Sequence, residues 1–301
     1  MLRSMLYEVG ISNDFRGWSF AKPPVKPMRD TLLSVSELAS RYCPTMRDIF
    51  LKKVLKMQAP QSFKMFRGVA YHLVISAVVI ESKRVLYSLR PVSGSKFYEC
   101  LVERIPSLVD RVMGEALKRF SKVSDDEFKI VHQGVKKIAE FLLIEVAHSI
   151  NQSLSRFPHI DIDSLVSEAI PPITEMKVDG SLVGLSRELS VDIFSPANAV
   201  IDVKTGEVRS FHRLTAAGYA IAIEADKGIP VDMGITVYLS VDNSEVPRFT
   251  HDVFIVGDEL RREFLELRDE AQLLVERGSD PGLPSACPSY CPYYSFCNVK
   301  G

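Results

Sequence analysis

The sequence predicts a mixed α/β (α+β) fold, in which a mainly helical N-terminal module precedes a core built on a central mixed sheet. Two observations predict it. Between Arg47 and about residue 155, apolar residues recur at spacings of three and four, which is typical of amphipathic helices. After residue 170 the pattern changes to short β-branched runs separated by turn residues, which indicate strands. We therefore divide the chain into residues 1–170, 171–260 and 261–301.

The N-terminal module begins irregularly, because three prolines before residue 30 interrupt any helix. Ser34 is then a good N-cap residue, and Glu37 three positions later completes a capping box. This signature predicts a helix that runs to Tyr42. The helical pattern that follows is predicted to break twice, at Pro91–Ser95 and at Ser121–Asp126.

The core is predicted to consist of strands, followed by a terminal helix. Strands are expected over short apolar runs, namely Ile173–Val178, Leu182–Leu185, Ser190–Phe194, Ala199–Val203, Glu207–Phe211, Gly234–Leu239 and Asp252–Val256. Helices are expected over Thr215–Glu224 and Gly257–Arg277. The tail after Gly278 is too poor in periodic apolar residues to pack by itself, so we expect another part of the protein to hold it.

The composition describes an ordinary globular protein. Of the 301 residues, 46% are apolar and 25% charged, which excludes a collagen, a coiled coil and wholesale disorder. The net charge of −1 argues at first against a nucleic-acid protein. However, residues 1–170 carry 25 basic and 18 acidic side chains, whereas residues 171–301 carry 12 and 20, so the two halves have opposite charge.

Most of the basic excess lies between Arg47 and Lys96, where ten basic residues accompany two acidic ones. Such a stretch is either a solvated helix surface or a groove that follows nucleic-acid phosphates. If it binds DNA, the candidate residues are Lys52, Lys53, Lys56, Lys64 and Arg67.

No segment of the sequence is expected to span a membrane, because the longest apolar run, Leu73–Ile80, is far shorter than the roughly 18–20 residues required. We therefore expect a cytoplasmic protein without membrane contact. In that reducing compartment, the five cysteines are expected to be free thiols or metal ligands rather than disulfides.

Two carboxylates and a lysine lie on adjacent predicted strands. Strand alternation places Asp202 and Lys204 on one face, and Asp192 belongs to the preceding strand of the same hairpin. A buried carboxylate pair needs a cation, and Mg²⁺ or Mn²⁺ would suit these oxygen ligands and activate water. Glu175 could complete the acidic set. The alternative is a surface cross-strand pair, with Glu175 facing solvent.

His72 and Tyr219 are further candidates. His72 follows Gly68 in the basic helical region, and its imidazole could supply a nitrogen ligand to a metal, although a single helical histidine is more often packed or exposed. Tyr219 lies on the helix after the strand of Asp202, where it could reach a phosphate or the lysine. Its alternative role is core packing.

Four cysteines form a pattern split between the two ends of the chain. Cys287, Cys291 and Cys297 are closely spaced, and Cys43 stands alone far upstream. A tetrathiolate site would tie the tail back to the N-terminal module. Its occupant could equally be zinc or an iron–sulfur cluster, although the Cys-Pro pairs at Cys43, Cys287 and Cys291 are often seen at iron–sulfur ligands.

Taken together, these motifs resemble the RecB-like nucleases of the PD-(D/E)xK superfamily. The pattern comprises Gly68–His72, Asp192, Ile201–Lys204, the tyrosine helix at 215–219 and the divided cysteines. More narrowly, the chain is similar to the CRISPR-associated iron–sulfur exonucleases, the fourth-numbered core Cas family, in their longer archaeal type I-A variant. The resemblance implies a restriction-endonuclease-like nuclease core and a C-terminal iron–sulfur segment.

The resemblance also implies roles for individual residues. His72, Asp192, Asp202 and the Val203 carbonyl match the metal ligands, and Lys204 matches the catalytic lysine. Cys43, Cys287, Cys291 and Cys297 match the ligands of a cluster that is usually [4Fe–4S] and in some members [2Fe–2S]. The family's QxxxY motif appears here without its glutamine, as Thr215 to Tyr219, which puts the role of position 215 in doubt.

The function expected from this resemblance is an Mg²⁺- or Mn²⁺-dependent exonuclease that degrades single-stranded DNA from an end. It would trim and select new spacers in CRISPR adaptation, alongside the integrase proteins. Two alternatives stay open at this stage. One is a DNA-binding or scaffold subunit with little turnover, and the other is a nucleic-acid module held together by zinc. A homo-oligomer is compatible with the sequence.

Overall fold

A five-stranded sheet lies between two layers of helices in the computed structural model, which describes residues 10–90, 92–170, 172–241 and 246–297. The predicted mixed α/β fold with a central mixed sheet is confirmed at this level. Three predicted features lie at least partly outside the described residues: the irregular first residues, the break at Pro91 and the boundary at Pro171.

The N-terminal module is helical in the described residues. Its helices are α1 (Val35–Ala39), α2 (Arg47–Lys53), α3 (Phe63–Ser88), α4 (Gly94–Val102), α5 (Ile105–Leu117), α6 (Asp125–Arg156) and α7 (Ile162–Ala169). Capping boxes start α1 and α6, with Ser34 and Ser124 as the N-caps. The long helices α3 and α6 pack together, and α4, α5 and α7 enclose them. Their apolar faces form one core, which continues onto one face of the sheet.

The sheet follows the chain in order. Its strands are β1 (Ile173–Val178), β2 (Leu189–Ser195), β3 (Ala199–Lys204), β4 (Met233–Ser240) and β5 (Arg248–Ile255). Neighbours pair antiparallel except for β3 and β4, which are parallel. A parallel pair needs a crossover, and α8 (Arg213–Lys227) supplies it.

The second helical layer covers the other face of the sheet. It consists of α8 and α9 (Asp258–Arg277), which pack against each other and bury a second apolar core with residues of α1. The alanine-rich face of α8 lets it approach β3 and β4 closely. A single turn, α10 (Tyr294–Cys297), lies in the tail.

A buried charge network fixes the N-terminal segment to α8 and α9. The Glu224 carboxylate is fully buried and accepts five hydrogen bonds, from the side chains of Arg16 and Arg261 and from the backbone amides of Gly17 and Val231. Arg16 also pairs with Asp232. We name these side chains the Glu224 network. The sequence analysis did not identify it.

Three predicted elements differ from the structure. Helix α1 ends at Ala39 rather than Tyr42, because Arg41 adopts a positive φ that an α-helix cannot contain. The predicted strand Leu182–Leu185 is wrong, since a 3₁₀ turn covers Ser181–Val183 and Gly184 is left-handed. The predicted strand Glu207–Phe211 is also wrong, because this segment is a loop that leads into α8.

Helix α3 is long and apolar enough to cross a membrane by length and composition alone, so the expectation that no segment reaches that length was wrong. In the structure, Phe66, Val74, Val78 and Leu86 of this helix are buried in the core shared with α5 and α6. The same helix carries His72 toward the sheet.

Candidate active site

Asp192 lies where the pairing of β2 with both of its neighbouring strands is interrupted. On one side, β1 and β2 pair at Thr174–Ile193 and at Met176–Val191, but the intervening pair of Glu175 with Asp192 is missing. On the other side, the pairs of β2 and β3 end at Ile193–Ile201. The Val203 amide instead donates to Asp192 Oδ2, at 3.1 Å. A side chain thus takes the place of a main-chain partner, and this fixes the carboxylate between the strands.

Asp202 and Lys204 meet on one face of β3. Lys204 Nζ donates to Asp202 Oδ1 at 3.0 Å and lies 2.8 Å from Oδ2. Asp202 is only 3% exposed. Burial raises the pKa of Asp202 to about 6, and the nearby Asp192 carboxylate adds to the rise, although the ammonium of Lys204 opposes it. The carboxylate is therefore costly to keep ionised without further positive charge.

His72 approaches the same place from α3. Its Nδ1 lies 3.3 Å from Asp192 Oδ2. Burial lowers the pKa of His72, but the Asp192 carboxylate raises it by more, so the net direction is upward. Conversely, burial raises the pKa of Asp192, but the imidazole and other donors lower it overall. Across the layer boundary, His72 and Asp192 thus each favour the charged form of the other.

A small cavity of about 10 Å³ lies beside this pair. It is lined by His72, Ile75, Ser76, Thr174, Glu175, Asp192, Ile193 and Val203. Glu175 stands at its rim with an exposed side chain and a positive φ of 54°, which is unusual for a glutamate in a strand. Its carboxylate accepts a hydrogen bond from the Ser190 hydroxyl at 2.6 Å. The structure therefore brings Glu175 next to Asp192.

Tyr219 faces the carboxylates from α8, on the opposite side of the sheet from His72. Burial raises its pKa, and the negative charges of Asp192, Asp202 and Glu175 raise it further. The phenol therefore stays protonated and can act as a hydrogen-bond donor. Thr215, one helical turn earlier, is buried.

The donor set suits a hard divalent cation. His72 Nδ1, the carboxylates of Asp192 and Asp202, and the Val203 carbonyl are nitrogen and oxygen donors of the kind that Mg²⁺ and Mn²⁺ accept. Asp202 Oδ2 is buried, and in the described part of the chain its one close polar contact is the ion pair with the Lys204 ammonium, whose hydrogen bond goes to Oδ1. Within the same ranges, however, no group of three or more His, Cys, Asp or Glu side chains is already arranged to hold a metal ion. Instead Lys204 pairs with Asp202, and His72 lies against Asp192.

Two residues near Lys204 were missed by the sequence analysis. Tyr238 on β4 is the register partner of Lys204, and its hydroxyl lies 3.2 Å from Nδ1 of His212. Burial lowers the pKa of His212 to about 4, helped by the charges of Lys204 and Arg209. The imidazole is therefore neutral. The available signal was the spacing of His212 only eight positions after Lys204, which became meaningful once that segment proved to be a loop.

The predicted cysteine ligands gather at the junction of tail and N-terminal module. All are free thiols, and Cys43 and Cys291 are buried. Burial raises the pKa of Cys287, as do the neighbouring Cys297 and Cys43. Burial also raises the pKa of Cys291 to about 11, with contributions from Asp48, Cys43 and Cys297. Cys287 and Cys291 thus each lie close enough to other cysteines of the set for the charge of those cysteines to affect their pKa values.

Other contacts hold the tail against the N-terminal module. Arg47 forms a bidentate pair with Asp280 and donates to Cys297 Sγ at 3.2 Å. The Tyr293 hydroxyl donates to the carbonyl of Met57 at 3.0 Å. Phe50, Leu51, Cys291 and Tyr293 share a small apolar core.

The five candidate DNA-binding residues differ in their surroundings. Lys52 and Lys53 both pair with the buried Glu37 carboxylate, at 2.9 and 3.0 Å. Arg67 donates to the carbonyl of Thr205, in the loop just after Lys204. Lys56 and Lys64 are exposed. Within the described residues, Lys52, Lys56 and Lys64 are thus exposed, with Lys52 held by an ion pair, and Arg67 lies beside the candidate active site.

The chain is similar to known proteins over almost its whole length. The model of the family described as CRISPR-associated exonuclease Csa1 matches residues 1–300. A CRISPR-associated exonuclease Csa1 of Saccharolobus solfataricus is 32% identical over 289 residues, which cover 96% of this chain and 92% of the relative. One from Thermoproteus tenax is 32% identical over 287 residues, covering 95% and 91%.

Proposed function

Because this chain belongs to the CRISPR-associated exonuclease Csa1 family, we propose that it hydrolyses single-stranded DNA from an end with the help of Mg²⁺ or Mn²⁺. The observation that carries the proposal is the arrangement of Asp192, Asp202 and Lys204 where the sheet ladder opens. A buried carboxylate of raised pKa, paired with a lysine and close to a second carboxylate that lines a cavity, is typical of an active site rather than of a surface pair.

The residues of the site have distinct roles in this proposal. His72, Asp192, Asp202 and the Val203 carbonyl would hold the cation, which when bound would supply an activated water and offset charge on the phosphate. Lys204 would stabilise the charge that develops on the scissile phosphate, because its ammonium already faces the site. Tyr219 would donate a hydrogen bond to the same group, and Glu175 would complete the acidic rim.

A second part of the proposal concerns the four cysteines. Cys43, Cys287, Cys291 and Cys297 would hold an iron–sulfur cluster, with [4Fe–4S] preferred over [2Fe–2S], and zinc as the competing occupant. The mutual effect of these thiols on their pKa values supports one shared group, because a metal would replace their protons and offset the repulsion. The cluster would be structural, locking the tail onto α2.

The name of the family supports a role in a CRISPR system. We propose that the enzyme acts in the cytoplasm, in CRISPR adaptation, where it would trim new spacers next to the integrase proteins. The basic stretch, in which Lys56 and Lys64 point to solvent, would guide the strand toward Asp192. The competing function is a DNA-binding scaffold subunit, which is favoured only by the threonine at position 215.

A nuclease assay with end-labelled single-stranded DNA and Mn²⁺ tests the enzyme proposal. Wild type should shorten the strand from an end, Asp202→Asn should be at least about 100-fold slower, and the exposed Asp110→Asn should match wild type. Equal degradation by wild type and Asp202→Asn contradicts the proposed site. Strand binding without any degradation by wild type favours the scaffold function.

Anaerobic determination of iron, acid-labile sulfide and zinc tests the cluster. We expect iron and sulfide in wild type and their loss in Cys291→Ala, while Cys100→Ala, at an exposed thiol remote in sequence from the others, keeps both. Stoichiometric zinc without iron would show that the tetrathiolate site holds zinc.

A further inference from the structure

Two tyrosines and an arginine form an exposed patch that the proposed chemistry does not use. Tyr42 and Tyr290 are 36% and 37% exposed, and their ring centroids lie 6.5 Å apart with an angle of 53° between the planes. At that angle neither ring covers the face of the other. The guanidinium of Arg209 lies 4.8 Å from the centroid of the Tyr290 ring. We name these three residues the tyrosine patch.

The tyrosine patch adjoins the candidate active site. Arg209 belongs to the loop that follows Lys204, and its carbonyl accepts a hydrogen bond from the hydroxyl of Tyr238. Tyr238 is in turn the register partner of Lys204 on the next strand, about 4.8 Å away. Tyr42 is linked to the same loop through Tyr290, since its ring contacts the Tyr290 ring, which in turn contacts the guanidinium of Arg209.

Packing does not explain the exposure of these rings. Tyr293, in the same tail segment, shows what a structural tyrosine does here: it is buried and its hydroxyl donates to the Met57 carbonyl. Tyr42 and Tyr290 instead keep about a third of their surface in solvent, and Arg209 is half-buried beside them with Glu207 as its ion-pair partner. Exposed aromatic surface next to a cation is typical of binding to unpaired bases.

We propose that Tyr42 and Tyr290 stack against an unpaired base of the strand whose backbone lies at Lys204, while Arg209 braces the Tyr290 ring and attracts a phosphate. This inference rests on the proposed function and adds a basis for choosing single strands. Every base has a π-face, so stacking tolerates any sequence, whereas a duplex keeps those faces inside its base stack. The tyrosine patch would therefore reject uninterrupted duplex and accept a frayed or single-stranded end.

Binding measurements with two strands of equal length and charge test this inference. The probes are a fluorescent oligothymidylate and the same strand with abasic residues, with each protein in the Asp202→Asn background so that the probe survives. Tyr290→Leu and Tyr42→Leu should each weaken oligothymidylate binding about 5- to 150-fold, and leave the abasic strand within about twofold. Tyr290→Phe and Tyr42→Phe, which keep the ring, should restore the affinity.

Tyr294→Leu is the matched control, because Tyr294 is 41% exposed in the same tail but makes no ring contact with the tyrosine patch. It should bind both probes as the parent does. An unchanged affinity of Tyr290→Leu and Tyr42→Leu for oligothymidylate would overturn the inference. So would an equal loss on the abasic strand, since that would reveal a disturbed fold or lost charge rather than lost stacking.

The two proposals can fail separately. If wild type does not degrade DNA but the leucine variants lose oligothymidylate binding selectively, the stacking inference holds and the nuclease proposal fails. If wild type degrades single strands and the leucine variants bind as the parent does, the nuclease proposal holds and the stacking inference is overturned.

Discussion

Two clusters of buried charge lie along helix α8, and they are built in opposite ways. In the Glu224 network, the carboxylate receives five hydrogen bonds and both arginines are satisfied by carboxylates or carbonyls. In the candidate active site, Asp202 relies on one lysine, and the sheet ladder is open beside Asp192. Burial is similar, since Glu224 and Asp202 both have almost no exposed surface.

The difference separates a structural cluster from the candidate functional one. When every donor and acceptor of a buried charged group already has a protein partner, no position is left for a ligand. Such groups therefore position segments of the chain. Carboxylates with an insufficient number of partners retain a raised pKa and attract further positive charge. The two clusters therefore differ in how many hydrogen-bond and ion-pair partners their carboxylates have. Burial and sequence motif alone do not distinguish them.

The largest effect is expected from removing the lysine of the active site. Lys204→Met should lower the rate of single-strand degradation by about 100- to 1000-fold, because the charge that develops on the phosphate loses its nearest fixed cation. The control is Lys227→Met, at a lysine of α8 that pairs with Asp226 away from the site. An initial rate for Lys204→Met within tenfold of wild type contradicts this role.

The next effect tests the structural cluster. Glu224→Gln should lower the free energy of unfolding by about 3–5 kcal/mol, because it leaves Arg261 buried without a counter-charge. The folded fraction should keep its specific activity. Denaturant titration measures the stability, with the exposed Glu266→Gln as control. If Glu224→Gln were as stable as wild type but inactive, the distinction between the clusters would be lost.

A third buried carboxylate, that of Asp48, extends the comparison to the pH dependence of the unfolding free energy. Burial raises the pKa of Asp48 to about 6, above the value of about 3.9 in an unfolded chain. The folded state therefore holds this proton more tightly, and wild type should lose stability as pH rises from about 4 to 6. Asp48→Asn lacks that loss, so by pH 7 its unfolding free energy should gain up to about 3 kcal/mol relative to wild type. A difference independent of pH, in denaturant titrations at pH 4 and 7, would contradict this prediction.

The smallest effect is expected where the cation is exposed. Lys52→Gln removes one of two lysines that pair with Glu37, and Lys53 keeps the carboxylate neutralised. The free energy of unfolding should change by less than about 1 kcal/mol, as measured by denaturant titration. If Lys52→Gln lost as much unfolding free energy as Glu224→Gln, the number of partners left to a buried carboxylate would not determine how much a substitution destabilises the protein.

The sequence predicted the periodic elements and the strand motifs well. β1 was placed at its observed bounds, and β2, β3, β4, α8 and α9 within a few residues, because each has a clear apolar period and good turn or cap residues. Leu182–Leu185 failed because its conformation depends on tertiary partners: Arg268 and Gln272 on α9 donate to the carbonyls of Val183 and Gly184. No local pattern reveals such contacts.

The candidate site was predictable in part for the same reason. Asp202 and Lys204 are two residues apart on one strand, so alternation alone places them together. The approach of His72 to Asp192, by contrast, depends on how α3 packs on the sheet, and only the family resemblance indicated it. Glu224 carried no signal at all, since an isolated glutamate on a helix is usually exposed, and its arginine partners come from distant segments.

The long sequence separation between contact partners also determines when each contact can form while the chain is being translated. Arg261 contacts the carbonyl of Phe15 across 246 positions, and Cys297 receives a hydrogen bond from Arg47 across 250. At a synthesis rate of about 5–20 residues per second, the early residues wait about 10–50 s for these partners to be translated. The helical module can form on the ribosome during that interval. The Glu224 network and the cysteine junction, by contrast, can form only after Arg261 and Cys297 have been translated.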